Sequence, residues 1–216
     1  MEILLIAATA QEIELSLNHF AVKDGHTAFN SGKHRIQCLI TGLGMVATAF
    51  ELGKHLATKS YDLVINLGIA GSFDRNLAIG QVLHITDDSF ADLGAEDGDQ
   101  FLSIDDLGFG QSAYKPLDFG FKLPILGELN QVSSITVNRV HGSDTSIAKT
   151  LTRISPQLES MEGAAVFYAC NQVQIPALQI RSVSNYVERR NRDNWNIDLA
   201  IKNLNDYFLR LLNDLP

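Results

Sequence analysis

The sequence predicts an α/β protein: a single domain over residues 1–216, three-layered, with helices on both sides of a central twisted sheet that is mixed but largely parallel. Three observations carry this expectation. Unbroken apolar runs such as Ile3 to Ala8 and Leu63-Val-Ile65 mark strands buried on both faces. Segments of helical length alternate with them, and such alternation builds parallel sheets covered by helices. At 216 residues, with 45% apolar and 19% charged side chains, the chain has the size and composition of one globular domain with a substantial core.

Taken in order, Glu2 to Ala8 reads as the first strand and Ala10 to Phe20 as a helix. Thr27–Phe29 and Arg35–Thr41 bracket the turn Asn30-Ser31-Gly32 and predict a hairpin. Gly42-Leu-Gly44 opens a helix over Met45 to Thr58, with Val46, Phe50, Leu52 and Leu56 as its apolar positions. Leu63 to Gly68 and Gln81 to Phe90 read as strands. Asp92 to Lys122, rich in Gly, Asp and Phe and without a period, reads as a long loop with fragments of structure. Then come a strand at Val132–Val137, helices at Thr145–Ile154 and Met161–Val173, and a strand at Ala177–Ser184. A final helix near Asp198–Asn213 carries Leu199, Ile201, Leu204, Phe208, Leu211 and Leu212 on one side.

Composition narrows the function. A formal net charge of −8 argues against binding a phosphate backbone, so no nucleic-acid partner is expected. Two cysteines, Cys38 and Cys170, are too few for a disulfide framework or a CxxC metal site. The six histidines lack the spacing of a helical metal site, and neither a metal nor a cofactor is expected. No apolar run approaches membrane-spanning length, and the first one lacks a basic leader. A soluble cytoplasmic protein without a membrane partner is the resulting expectation.

Several residues carry two readings. Thr9-Ala-Gln-Glu12 is a capping box, and it also places a carboxylate where open α/β folds bind ligands. Glu162, among Met161, Gly163 and Ala164, is either an acid favouring a helix start or a buried carboxylate in need of donors, which a sugar's vicinal hydroxyls supply. Asn185 ends a buried strand, as a cap or as an amide offering donor and acceptor side by side to a 6-oxopurine. Arg139 and His141 follow a strand as loop residues or ligand contacts. The acids between Asp92 and Asp99 lack the spacing and closing Glu of a calcium loop. Gly42-Leu-Gly44-Met-Val-Ala47 matches a dinucleotide fingerprint, yet Asp62 precedes the next strand instead of ending it. A tight strand-to-helix turn is the preferred reading.

Together, the Glu12 turn, Thr41-Gly-Leu-Gly44, Asn66-Leu-Gly-Ile-Ala-Gly71, Met161-Glu162 and Arg181-Ser-Val-Ser-Asn185 resemble the nucleoside phosphorylase and nucleosidase superfamily, in its nucleosidase branch. Ala70-Gly-Ser-Phe73, Phe90 to Gly98, Val137-Asn-Arg-Val-His-Gly142 and Ser184-Asn-Tyr-Val-Glu188 look like the futalosine hydrolase family, whose route leads to menaquinone. The resemblance implies that Glu12 activates water and that Glu162 and Met161 contact the ribose of a purine nucleoside. It implies further contacts from Ile69, Ala70, Gly71, Phe90, Val140, His141 and Ser160, and a homodimer. Asn185 stands where adenine-specific relatives carry an Asp, which favours a hypoxanthine nucleoside and leaves the general acid unassigned. The phosphorylases' Gly-Asp-Pro-x-Arg loop is replaced by Ala8-Thr-Ala-Gln-Glu12, so water is the implied nucleophile. An aryl carboxylate beyond the ribose would meet Arg139, Arg75 or the amides of the acidic loop. An adenine nucleosidase, a phosphorylase and a nucleoside-binding sensor without turnover are the competing readings.

Overall fold

The computed structural model describes residues 1–22 and 27–216. Strand β1 (Glu2–Ala7) shows how its core is divided. Successive side chains of a strand point to opposite faces. Ile3, Leu5 and Ala7 accordingly join one buried cluster, and Leu4 and Ile6 join another across the sheet.

After β1 the chain makes a 3-10 turn (Ala10–Glu12) and then α1 (Glu14–His19). The single helix expected here is interrupted at Ile13, whose φ of −120° is not helical, because Glu12 turns back onto Thr9. The hairpin is present as β2 (Ala28–Ser31) and β3 (His34–Ile40), with Gly32 at φ 57°. Helix α2 (Met45–Leu56) follows, and β4 (Leu63–Ser72) runs on past Gly68, its expected end. After β5 (Val82–Phe90), the segment read as a loop holds a small hairpin, β6 (Gly94–Asp97) and β7 (Gln100–Ser103), and a short β8 (Ala113–Tyr114). The remainder comprises β9 (Gln131–Thr136), α3 (Asp144–Leu151), β10 (Leu158–Ser160), α4 (Gly163–Gln172), β11 (Ala177–Tyr186) and α5 (Ile197–Asp214).

The main sheet has the order β10-β9-β5-β11-β4-β1-β3-β2, with β8 on β5. Because β10 also pairs with β4, the strands β4, β11, β5, β9 and β10 close into a ring. The sheet is mixed, as expected, but not largely parallel. Among the described residues, β5 runs antiparallel to β11, β10 to β4, β2 to β3 and β8 to β5, against five parallel pairings. The cause is local: a parallel return needs a crossover of about a dozen residues or more, usually a helix, and the link 73–81 between β4 and β5 is too short.

Helices cover both faces. α5 buries Leu204, Phe208, Leu211 and Leu212 against one side, where α1 also packs. α2 and α4 bury Leu52, Leu56, Val166 and Phe167 against the other. Val46 and Phe50 do not share that packing; they are 74% and 65% exposed. Each lies two residues before a buried position (Thr48, Leu52), roughly 200° round the helix from it. No described helix is long and apolar enough to cross a membrane.

Candidate active site

β4 is the platform on which the sequence-predicted residues meet. Its extension pairs with β10, placing Gly71 opposite Glu159, and with β11, placing Gly71 opposite Asn185. β1 lies on its other side and delivers the Glu12 turn.

Glu12 is 8% exposed. Its Oε2 accepts from the Thr9 amide at 3.0 Å and the Thr9 hydroxyl at 3.2 Å, and its Oε1 accepts from the Ile69 amide at 3.2 Å. The capping and ligand-edge readings of this turn therefore coincide in space. Burial raises the Glu12 pKa above the ordinary carboxylate value; the Arg181 guanidinium pulls it back, and Glu162 adds to the rise. Gly68 makes this approach possible. A Cβ there would lie 2.1 Å from Arg181 Nη1 and 3.1 Å from Glu12 Oε1.

Glu162 sits at the start of α4 but caps none of its amides. Its Oε1 instead accepts from the Gly44 amide of α2 at 2.9 Å, while Oε2 takes no hydrogen bond among the described residues. The glycine turn is thus explained: Gly42 and Gly44 adopt φ of 85° and 90°, accessible chiefly to glycine, and aim an amide at Glu162. A donor that a pyrophosphate would need at this helix start is already occupied. Neighbouring Met161 is half-buried, and Ser160 is buried with its hydroxyl accepting from the Gly163 amide at 3.4 Å.

Asn185 lies within β11, at an irregularity in its pairing with β4 between Val183 and Asn185. Its Oδ1 accepts from the Ser184 hydroxyl at 2.8 Å and its Nδ2 donates to the Tyr186 carbonyl at 2.9 Å. An amide holds two donor hydrogens and two acceptor lone pairs, so one of each is left. Asn185, Gly71, Val140 and His141 line a cavity of about 100 Å³. Ala70 backs it, its carbonyl accepting from Ser184. The ring of His141 is committed elsewhere: Nδ1 meets the buried Glu159, and Nε2 meets the Thr150 hydroxyl at 2.8 Å. Phe90 borders a different, larger cavity of about 670 Å³, with Met45, Phe50, Asn138 and Tyr168.

Sequence reasoning passed over Arg181, Gln179 and Asp88, all buried in strands around Glu12 and α4. The available signal was the polar alternation Gln179-Ile-Arg181 within an apolar run. Gly163 is fixed by the same polar group, since a Cβ would lie 2.1 Å from both Asp88 Oδ2 and Gln179 Oε1. Gly163→Ala should therefore lose about 1–3 kcal/mol of stability by overpacking. Urea unfolding should show a lower midpoint, and an unchanged midpoint would contradict this packing.

The profile of the Phosphorylase superfamily matches residues 2–213. A futalosine hydrolase of Acidothermus cellulolyticus is 33% identical over 186 residues, 80% of this chain and 73% of that protein. One of Streptomyces coelicolor is 33% identical over 155 residues, which is 68% of this chain and 64% of that relative's length. In fold, a 5'-methylthioadenosine/S-adenosylhomocysteine nucleosidase from Helicobacter pylori superposes with a TM-score of 0.85 over 100% of this chain and 99% of that one, at 17% identity. The chain belongs to the phosphorylase superfamily and, within it, to the futalosine hydrolase family.

Proposed function

We propose that residues 1–216 form one nucleosidase domain that hydrolyses futalosine to hypoxanthine and dehypoxanthine futalosine, in the cytoplasm, on the route to menaquinone. The observation that carries this reading is the juxtaposition on β4 of a buried carboxylate, Glu12, with a neutral amide, Asn185. Loss of a purine from ribose passes through an oxocarbenium-like transition state, as in glycoside hydrolysis. The raised proton affinity of Glu12 suits a base that takes a proton from water. The unbonded oxygen of Glu162 receives ribose hydroxyls, with Met161 beside it. Asn185 donates its remaining hydrogen to the 6-oxo group as charge develops on the base. Gly71, Val140 and the His141 ring wall the base, Ile69, Ala70 and Ser160 support the ribose end, and Phe90 lies toward the larger cavity.

Water is favoured over phosphate because the buried cation nearest Glu12, Arg181, already donates to Asn66 and Gln179. For the carboxylate beyond the ribose, Arg139 is the readier candidate, because Arg75 is paired with Glu188 at 2.5 Å and Arg139 has no ion pair among the described residues. Incubation with futalosine, with and without phosphate, tests the reaction. Hypoxanthine release independent of phosphate supports hydrolysis; release only with phosphate supports a phosphorylase. A protein that retains every nucleoside intact supports the sensor reading.

A homodimer completes the proposal. Leu43, Val46 and Phe50 are 68%, 74% and 65% exposed, an apolar face beside the larger cavity, and such faces mark association surfaces. Val46→Glu with Phe50→Glu should convert a dimer to a monomer in sedimentation velocity. An unchanged sedimentation coefficient would place the contact elsewhere.

A further inference from the structure

A file of polar side chains runs through the closed ring of strands. Asp88, on β5, is fully buried. Its Oδ1 accepts from the Thr136 hydroxyl at 2.8 Å and its Oδ2 accepts from Gln179 Nε2 at 3.0 Å. Gln179 Oε1 accepts from Arg181 Nη2 at 3.0 Å, and Arg181 Nη1 donates to Asn66 at 3.1 Å. That guanidinium lies beside Glu12 across Gly68. At the other end, the Thr136 oxygen accepts from the Ala164 amide at 2.8 Å, one of the open amides at the start of the helix that Glu162 begins.

We propose that Asp88 is a positioning residue for the reaction: through Gln179 and Arg181 it shares one guanidinium with Glu12, and through Thr136 it seats the helix start that carries Glu162. This rests on the reading of Glu12 as base and Glu162 as ribose ligand. One buried cation serves two buried carboxylates, so protonating either leaves the cation to the other. The groups facing Asp88 are the hydroxyls of Thr136 and Ser134 on β9, Gln179 and Arg181 on β11, and the Gly163–Ala164 backbone of α4. Those facing Glu12 are Arg181, Glu162 and the amides of Thr9 and Ile69. Burial pushes Asp88 up to about 6, against its hydrogen bonds and Arg181. A buried acid is costly as a mere filler. An asparagine would keep the bond from Gln179 to its oxygen, but the Thr136 hydroxyl, whose oxygen already accepts from Ala164, would lose the acceptor of its hydrogen.

Asp88→Asn removes the charge at nearly constant volume and costs the hydrogen bond that the Thr136 hydroxyl donates. With the competing carboxylate gone, the Glu12 carboxyl should titrate about one pH unit lower than in the wild type. The probe is carbon-13 NMR of the side-chain carboxyl, assigned by its loss in Glu12→Gln, and it needs no substrate. In the wild type the same signal should show a second inflection where Asp88 titrates. The acid limb of kcat/KM should move down by the same interval. A single-step Glu12 curve identical in both proteins would overturn the proposal, and if Asp88→Asn does not fold, the wild-type curve decides alone. A shifted Glu12 curve in a protein that releases no base would overturn the proposed function and leave the coupling intact.

Discussion

Glu12→Gln should lower kcat by about 10²–10⁴, the range a positioned general base contributes, while KM and hypoxanthine binding stay near wild type. The two side chains have the same shape, and the amide oxygen can still accept from the Thr9 amide. Its new N–H₂ group must then face the Ile69 amide, which now donates to Glu12. One unsatisfied contact of this kind costs about 1–3 kcal/mol of stability, so the melting temperature should fall while the fold persists. The pH profile supplies a second mark. A buried base of raised pKa gives a rate that climbs as pH rises through that pKa, and the climb should vanish in the variant. A variant that turns over at close to the wild-type rate would show that another group activates the water.

Asn185→Asp should shift the ratio of kcat/KM for inosine-type over adenosine-type nucleosides toward the amino purine, by as much as roughly 10⁴. The local structure sets the direction. Ser184 can go on donating to the replaced side chain, but the Tyr186 carbonyl loses the hydrogen it accepts from Nδ2 and faces an acceptor instead. A carboxylate there repels a 6-oxo group and accepts from a 6-amino group. The size follows from the mismatch, since a polar atom left facing the wrong partner in a narrow, half-buried cavity loses its hydrogen bond. Equal kinetics on the two substrate types before and after the change would mean that the amide does not read the base.

What could be read from the sequence was what local chemistry dictates. The buried strands, the hairpin, the glycine turn and the Glu12 turn follow from apolar runs, turn residues and capping patterns. β10, at three residues, is too short to carry a period, yet it closes the ring and places Glu159 against Gly71. The direction of β5 follows from the short link 73–81, which an α/β alternation rule that assumes helical crossovers does not register. Val46 and Phe50 lie on the exposed side of α2, and apolar periodicity alone does not say which side of a helix packs on the sheet. The polar file behind the site was hidden by the apolar residues around it. Asp88, Gln179 and Arg181 each occupy a strand position that reads as an interruption until β5 and β11 are brought together.

The central claim is hydrolysis of a hypoxanthine nucleoside, and direct competition tests it. Futalosine and methylthioadenosine are offered at equal concentration in one phosphate-free vessel, and the two released bases are quantified at early times. The account predicts hypoxanthine in large excess over adenine. Adenine as the dominant base would contradict it and assign the site to the adenine nucleosidases.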